Sequence, residues 1–279
     1  MALSEREARQ IEEANRSDRT PVVFIHGLWL LPSSWDRWAG LFEEAGYATV
    51  QPDWPGDPET VEQARANPDV FAGTSIAEIL DHTSEVIVQL EKRPAVVGHS
   101  FGGMFTQIIA GRGLSDASVA IDPAPFRGIF TLPVSTLRSA APILMNPLNR
   151  NRAKTLTFDQ FKYGWANALD DEQARRLYDQ YHVAGSGRAL FDGANANLNP
   201  GTAAKVDTKN SERGPLLLIS GDTDHTVPTS VVHAEYKKQQ DNPRETEFET
   251  TPNRGHSLTI DDGWQEVAQA ALDFVKRFA

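Results

Sequence analysis

Apolar residues follow two alternating rhythms along the first 125 positions. Short unbroken runs rich in valine give way to longer stretches where apolar positions recur every three or four residues. "PVVFIHG" (21–27) reads as a buried strand ending in a tight loop, and "PSSWDRWAGLFEEAG" (32–46) as a helix. Ser33 or Ser34 is the expected N-cap of that helix, and Gly46 stands past its end. "YATVQPDWPGD" (47–57) predicts a second short strand running into a Pro-rich loop. From Ser75 to Lys92, the positions Ile76, Ile79, Leu80, Val86, Ile87 and Leu90 mark an amphipathic helix. "RPAVVGHS" (93–100) predicts a strand, followed by a helix to about Gly111, and "ASVAIDPAP" (117–125) is the next strand.

The alternation stops near Pro125. Between Phe126 and Arg213 no convincing strand is visible. The expected helices there are "VSTLRSAAPILMN", "TFDQFKYGWANAL" and "DEQARRLYDQYHV". Strand and helix resume with "GPLLLISGDTDHTVP" and "ETEFETTPNRGHSLTI", and a helix from about Trp264 to Phe278 closes the chain. Strands alternating with helices imply an α/β protein whose mainly parallel central sheet is covered by helices on both faces. The predicted division is a polar leader (1–20), a core domain (21–125 and 213–279) and a helical cap insertion (126–212).

Bulk composition narrows the function classes. The 279 residues are 40% hydrophobic and 23% charged, ordinary for a globular chain, with a net charge of −11 and no cysteine. The absence of cysteine excludes disulfides and thiolate chemistry and fits a reducing compartment. No contiguous basic block stands out, so neither nucleic acid nor a membrane is an expected partner. The first twenty residues lack a signal peptide's apolar core, and no run reaches the ~20 apolar residues of a membrane span. A cytoplasmic protein is the expectation. Nothing in the sequence sets the oligomeric state.

Chemistry concentrates at "GHSFGG" (98–103), where a strand turns into a helix. Such a turn lifts one side chain above the C-terminal edge of a sheet and crowds the positions two before and two after it. Only very small residues fit there, and Gly98 and Gly102 flank Ser100 at those positions: the G-x-S-x-G nucleophile elbow in its strand–turn–helix context. A serine hydroxyl needs a base to take its proton. Of the seven histidines, His256 in "NRGHSLTI" is the candidate, since it follows the last strand and Gly255 frees the backbone to aim the ring. His225 is the second histidine in a late loop. The base in turn needs a carboxylate. Asp224 in "SGDTDHTVP" is the leading choice, Asp222 reads as a turn residue, and Asp122 at the end of "SVAID" competes. Oxyanion donors are expected from the backbone N–H groups of Phe101 and Leu28. No metal or organic cofactor is implied, because H-E-x-x-H and dinucleotide fingerprints are missing.

Taken together, "FIHGLW" (24–29), "VVGHSFGG" (96–103), "SGDTDHTVP" (220–228) and "RGHSL" (254–258) resemble the α/β-hydrolase fold superfamily, in its serine esterase branch. The resemblance implies an ester-like substrate: a carboxylic ester, lactone or thioester of a small to medium apolar molecule. It also implies a pocket walled by the cap. The aromatic candidates for its lining are Trp29, Trp54, Phe161, Tyr163 and Trp165, with Tyr178 and Tyr181 nearby in sequence. The loop "PDWPGDPET" departs from the family's usual D-x-x-G-x-G-x-S run. A C–C lyase, a perhydrolase, a cofactor-free oxygenase and a ligand-binding receptor are the alternatives on the same scaffold. A lyase of this kind often adds a lysine near the triad, and the sequence places neither Lys92 nor Lys154 at the site. An aspartate-nucleophile dehalogenase is set aside by the serine at the elbow. No exposed apolar lid is legible.

Overall fold

Residues 2–279 are described by a computed structural model. Six strands form one parallel sheet: β1 (Pro21–Ile25), β2 (Ala48–Val50), β3 (Ala95–His99), β4 (Ala117–Ile121), β7 (Leu216–Gly221) and β8 (Thr246–Thr251). They lie in the order β2-β1-β3-β4-β7-β8. A separate antiparallel pair joins β5 (Ala153–Lys154) to β6 (Gly185–Ser186).

The valine-rich runs are strands because both faces of the sheet are covered. Successive residues enter opposite core layers. Val23, Ile25, Val96, Ala120, Leu216 and Leu218 pack on one side; Val22, Phe24, Val97, Val119, Leu217 and Ile219 pack on the other. The first layer is closed by α1 (Glu5–Arg16), α4 (Ile76–Val88), α5 (Phe101–Gly111) and α10 (Thr229–Gln239). The second is closed by α2 (Asp36–Glu44) and α11 (Trp264–Phe278). β8 is the edge strand, half-exposed along its length.

Register brings the strand ends together. Ile25 pairs with Gly98, His99 with Ile121, and Ile121 with Ile219. The loops after β1, β3, β4 and β7 therefore emerge side by side. Between β1 and β3 the strand order reverses, which is where open α/β sheets leave a crevice.

Several local expectations differ from the structure. Residues 32–46 are not one helix: a 3-10 turn at Pro32–Trp35 precedes α2, and neither Ser33 nor Ser34 caps it. Trp35 and Trp38 pack edge-on at 5.0 Å and both reach Phe24, a packing demand that outweighs the capping signal. Gly46, at φ +96°, does end this segment. The polar leader contains α1, begun by a capping box between Ser4 and Glu7 and buried along Glu7, Ile11 and Ala14. Two short helical pieces, α3 (Val61–Ala66) and a 3-10 turn at Pro68–Phe71, fill the loop after β2. Between β4 and β7 lie α6 (Val134–Leu144), α7 (Phe158–Gly164), α8 (Asp171–Tyr181) and the unanticipated α9 (Gly187–Ala194). This segment also carries the β5–β6 pairing, so it is not wholly helical. Among the described residues no helix is long and apolar enough to cross a membrane.

Candidate active site

The turn from β3 into α5 holds Ser100 at φ 57°, ψ −118°, a region that L-residues rarely adopt. Backbone bonds pin it there: the Ser100 N–H donates to the Ile121 carbonyl at 2.9 Å, and the Ser100 carbonyl accepts from Ala124 N–H at 2.8 Å. The flanking glycines are steric necessities. A Cβ on Gly98 would overlap the Gly102 carbonyl and the Thr106 hydroxyl; one on Gly102 would overlap the Ile25 carbonyl. Gly103 lies against Pro123, where a Cβ would come within 3.0 Å.

The loops after β7 and β8 bring Asp224 and His256 to this turn. His256 Nε2 lies 2.9 Å from Ser100 Oγ, and His256 Nδ1 lies 2.6 Å from Asp224 Oδ2. A carboxylate can only accept, so the proton sits on Nδ1, and Nε2 is left to accept the serine O–H. Asp224 is itself oriented by its own loop, with Oδ1 accepting from Thr226 N–H at 2.6 Å and Val227 N–H at 3.1 Å. Asp222 stays in the turn, exposed, its N–H on the Thr251 carbonyl. The imidazole is fully buried beneath Trp165, whose ring meets it edge-on at 4.7 Å.

Two buried groups stand behind this chain. Asp122, at φ +39°, accepts the Gly221 N–H on Oδ1 at 2.9 Å and faces Asp224. Burial and, after it, the Asp224 charge push its carboxyl well above the usual range, which favours its protonated form. The His99 ring lies tilted against His256 at 4.6 Å, and burial together with that neighbour holds it well below the usual imidazole range. Ligand atoms of His99, Asp122 and His256 lie within 4.8 Å of one another. They do not suit a metal, because both His256 nitrogens are occupied, by Asp224 and by Ser100.

The predicted oxyanion donors flank Ser100. Phe101 opens α5, and the β1 loop abuts the elbow closely enough that a Cβ on Gly27 would lie 3.0 Å from Ser100 Cβ. Neither the Leu28 nor the Phe101 N–H donates to a backbone acceptor.

A cavity of about 290 Å³ opens on Ser100, walled by Trp29, Phe101, Met104, Leu137, Leu156, Trp165 and Leu190 among others. Trp29, at φ +70°, is anchored by its indole N–H on the Lys154 carbonyl at 2.9 Å. Three expected aromatics are elsewhere. Trp54 stacks on His26 at 4.7 Å, and Asp57 Oδ2 meets His26 Nε2 at 3.0 Å, locking the loop after β2 to the loop after β1. Phe161 is fully buried between Trp165, Tyr178 and His182. Tyr163 lies tilted against His225 at 4.7 Å and carries Arg138 on its face. Tyr178 donates its hydroxyl to the Leu156 carbonyl, and Tyr181 lies near Arg37. Aliphatic residues replace them, notably Leu132, Leu137, Leu144 and Leu190. The signal for α6 was available: Thr136, Ala140 and Leu144 recur at i, i+4 and i+8, a small apolar stripe.

His225 donates from Nδ1 to the Tyr163 carbonyl at 2.9 Å and is not bonded to Ser100. Lys92 is bound to the Asp18 carbonyl, and neither it nor Lys154 lines the cavity.

A parallel sheet of this order, with a strained serine at the turn after its third strand, defines a hydrolase-like α/β fold. The sequence model of the alpha/beta hydrolase family matches residues 22–270, and the chain belongs to that family. Among solved structures it is similar to Rv0554 from Mycobacterium tuberculosis, with a TM-score of 0.70 and 18% identity over 95% of this chain and 92% of that one. It is also similar to a Paleococcus ferrophilus monoacylglycerol lipase (TM-score 0.63, 19% identity, 93% and 95% covered). A polyneuridine aldehyde esterase gives TM-score 0.63 and 18% identity, with 92% and 100% covered. Likeness at such identities is a likeness of fold. A search of curated protein sequences gave no match.

Proposed function

We propose that the protein is a serine hydrolase that cleaves a carboxylic ester, lactone or thioester of a small to medium apolar molecule. The observation that carries this reading is the hydrogen-bonded sequence Ser100–His256–Asp224 at 2.9 and 2.6 Å, facing an apolar cavity. His256 Nε2 takes the Ser100 proton as Oγ attacks the acyl carbon, and Asp224 stabilises the imidazolium that forms. The Leu28 and Phe101 N–H groups bind the tetrahedral oxyanion, each worth roughly 3–4 kcal/mol of barrier. Collapse expels the alcohol or thiol, protonated by His256, and leaves an acyl-enzyme on Ser100. Water, activated by the same imidazole, releases the acid. The lipase and esterase among the structural neighbours agree with this chemistry.

Intact-mass analysis after exposure to a fluorophosphonate tests it. One adduct on the wild type and none on Ser100→Ala is the expected result. A folded wild type that takes no adduct and turns over no ester overturns the reading.

A further inference from the structure

Between Asp122 and Asp159 the chain carries no acidic residue, although it has 38 elsewhere. The same stretch holds five basic ones: Arg127, Arg138, Arg150, Arg152 and Lys154. It also holds most of the exposed bulky apolar side chains. Of the eight such residues among those described, six lie here: Phe130, Leu132, Val134, Leu137, Met145 and Leu148. Phe130, Val134 and Met145 are 78–83% exposed. A concentration of this kind marks an interaction surface.

Helix α6 organises the patch. Val134, Leu137, Arg138, Ala141 and Met145 follow at i, i+3, i+4, i+7 and i+11, which is one stripe of a helix. Val134, Leu137, Arg138 and Met145 are all exposed. The opposite stripe, Thr136, Ala140 and Leu144, walls the cavity above Ser100. Leu132 and Leu137 belong to both, exposed to solvent and lining the cavity. The patch is therefore continuous with the mouth of the site.

We propose that this face docks on an anionic lipid surface and that, given the ester-hydrolase reading on which this half rests, the acyl chain enters the cavity from that surface. Charge selects the occupant. The chain's net charge of −11 opposes approach to an anionic surface overall, and this segment, basic and free of acidic residues along the sequence, would orient the cavity mouth toward it. A second copy is a poorer partner, because two-fold contact through the patch would set basic residues against their own copies. Arg150 is already paired with Asp192 at 3.4 Å, whereas Arg138 and Arg152 are exposed. The helix is 11 residues long, suited to lying in the interface and too short to span it. The segment's basic residues are scattered along the sequence, so no contiguous block announces them.

The test is vesicle flotation of the full chain as Ser100→Ala, so that no lipid is consumed. Vesicles of phosphatidylcholine alone are compared with vesicles containing about 30% phosphatidylglycerol. Expected are binding at least about tenfold stronger to the anionic vesicles, its weakening by salt, and a loss of about tenfold or more in the Val134→Glu/Met145→Glu double variant. Both side chains are exposed, and circular dichroism with the thermal midpoint checks that the variant folds. Absence of vesicle binding overturns the proposal. So does equal binding to neutral vesicles, equal binding by the variant, or a dimer in sedimentation that the variant dissolves without any lipid affinity. Retained docking in a wild type that hydrolyses no ester leaves the docking surface intact and removes only the hydrolase reading.

Discussion

The carboxyl groups of Asp122 and Asp224 meet in a buried contact at the ends of β4 and β7, and only Asp224 touches His256. Both sites offer a carboxylate to the same imidazole, so the pair divides the work. Asp224 accepts from His256, Thr226 and Val227. Asp122, its carboxyl pushed well above the usual range by burial and by its partner's charge, accepts the Gly221 N–H on Oδ1 and leaves Oδ2 buried without a hydrogen-bond partner.

This division predicts opposite outcomes for two matched substitutions. Asp224→Asn removes the charge that stabilises the imidazolium and should lower kcat by about 10³–10⁴. Asp122→Asn keeps an acceptor for Gly221 and supplies an amide donor for Asp224, so kcat should stay within about threefold. Steady-state kinetics on one ester with both variants separates them. Equal losses would mean that Asp122 acts as the charged partner.

The cavity wall sets the acyl length accepted. Ala140 faces the cavity from α6, and Ala140→Phe would fill a large share of about 290 Å³. The kcat/KM for esters of about eight carbons or more should fall at least tenfold while acetate esters change little. A uniform loss across chain lengths would show that the acyl group lies elsewhere.

His182 should make the protein acid-sensitive. Its Nε2 accepts the Leu156 N–H at 3.1 Å, and burial lowers its pKa to about 3. In the unfolded chain it titrates near 6.5, so between these values the unfolded state binds a proton that the folded state refuses. Stability from this site is full above pH 6.5 and falls by about 1.4 kcal/mol per pH unit as the solution is acidified. His99, also depressed, acts in the same direction. Denaturant titrations from pH 7 to pH 4 should show a slope smaller by about one proton in His182→Asn than in the wild type.

Helix α1 should matter far more than its polar sequence implies. Glu7 Oε1 meets His82 Nε2 at 2.7 Å, both side chains buried, and accepts the Asp53 N–H at 2.9 Å. The pairing lowers the Glu7 pKa and raises that of His82. Glu7→Ala would strand these groups and cost about 3 kcal/mol, whereas the exposed Glu13→Ala should stay within about 0.5 kcal/mol. Thermal unfolding of the two variants tests the contrast.

The sequence by itself determined what depends on near neighbours. Apolar runs of five residues made doubly covered parallel strands. Gly98 and Gly102 were legible around Ser100 as the small residues of the G-x-S-x-G turn, although only a Cβ on Gly98 collides within that segment and one on Gly102 meets the Ile25 carbonyl of β1. The loops bearing Asp224 and His256 were legible as the segments following the last two strands. Tertiary structure decided which surfaces meet. Asp122 and Asp224 lie on adjacent strand ends, and only the path of the loop after β7 puts one of them on His256. Phe161 and Tyr163 lie on α7 and Trp165 caps its end, yet of these three aromatics only Trp165 faces the cavity, since a helical period does not say which stripe finds a partner. The same holds for α1, whose buried Glu7 reads as surface until His82 is set opposite it. It holds too for the face of α6, where scattered arginines and exposed apolar residues become one surface only after folding.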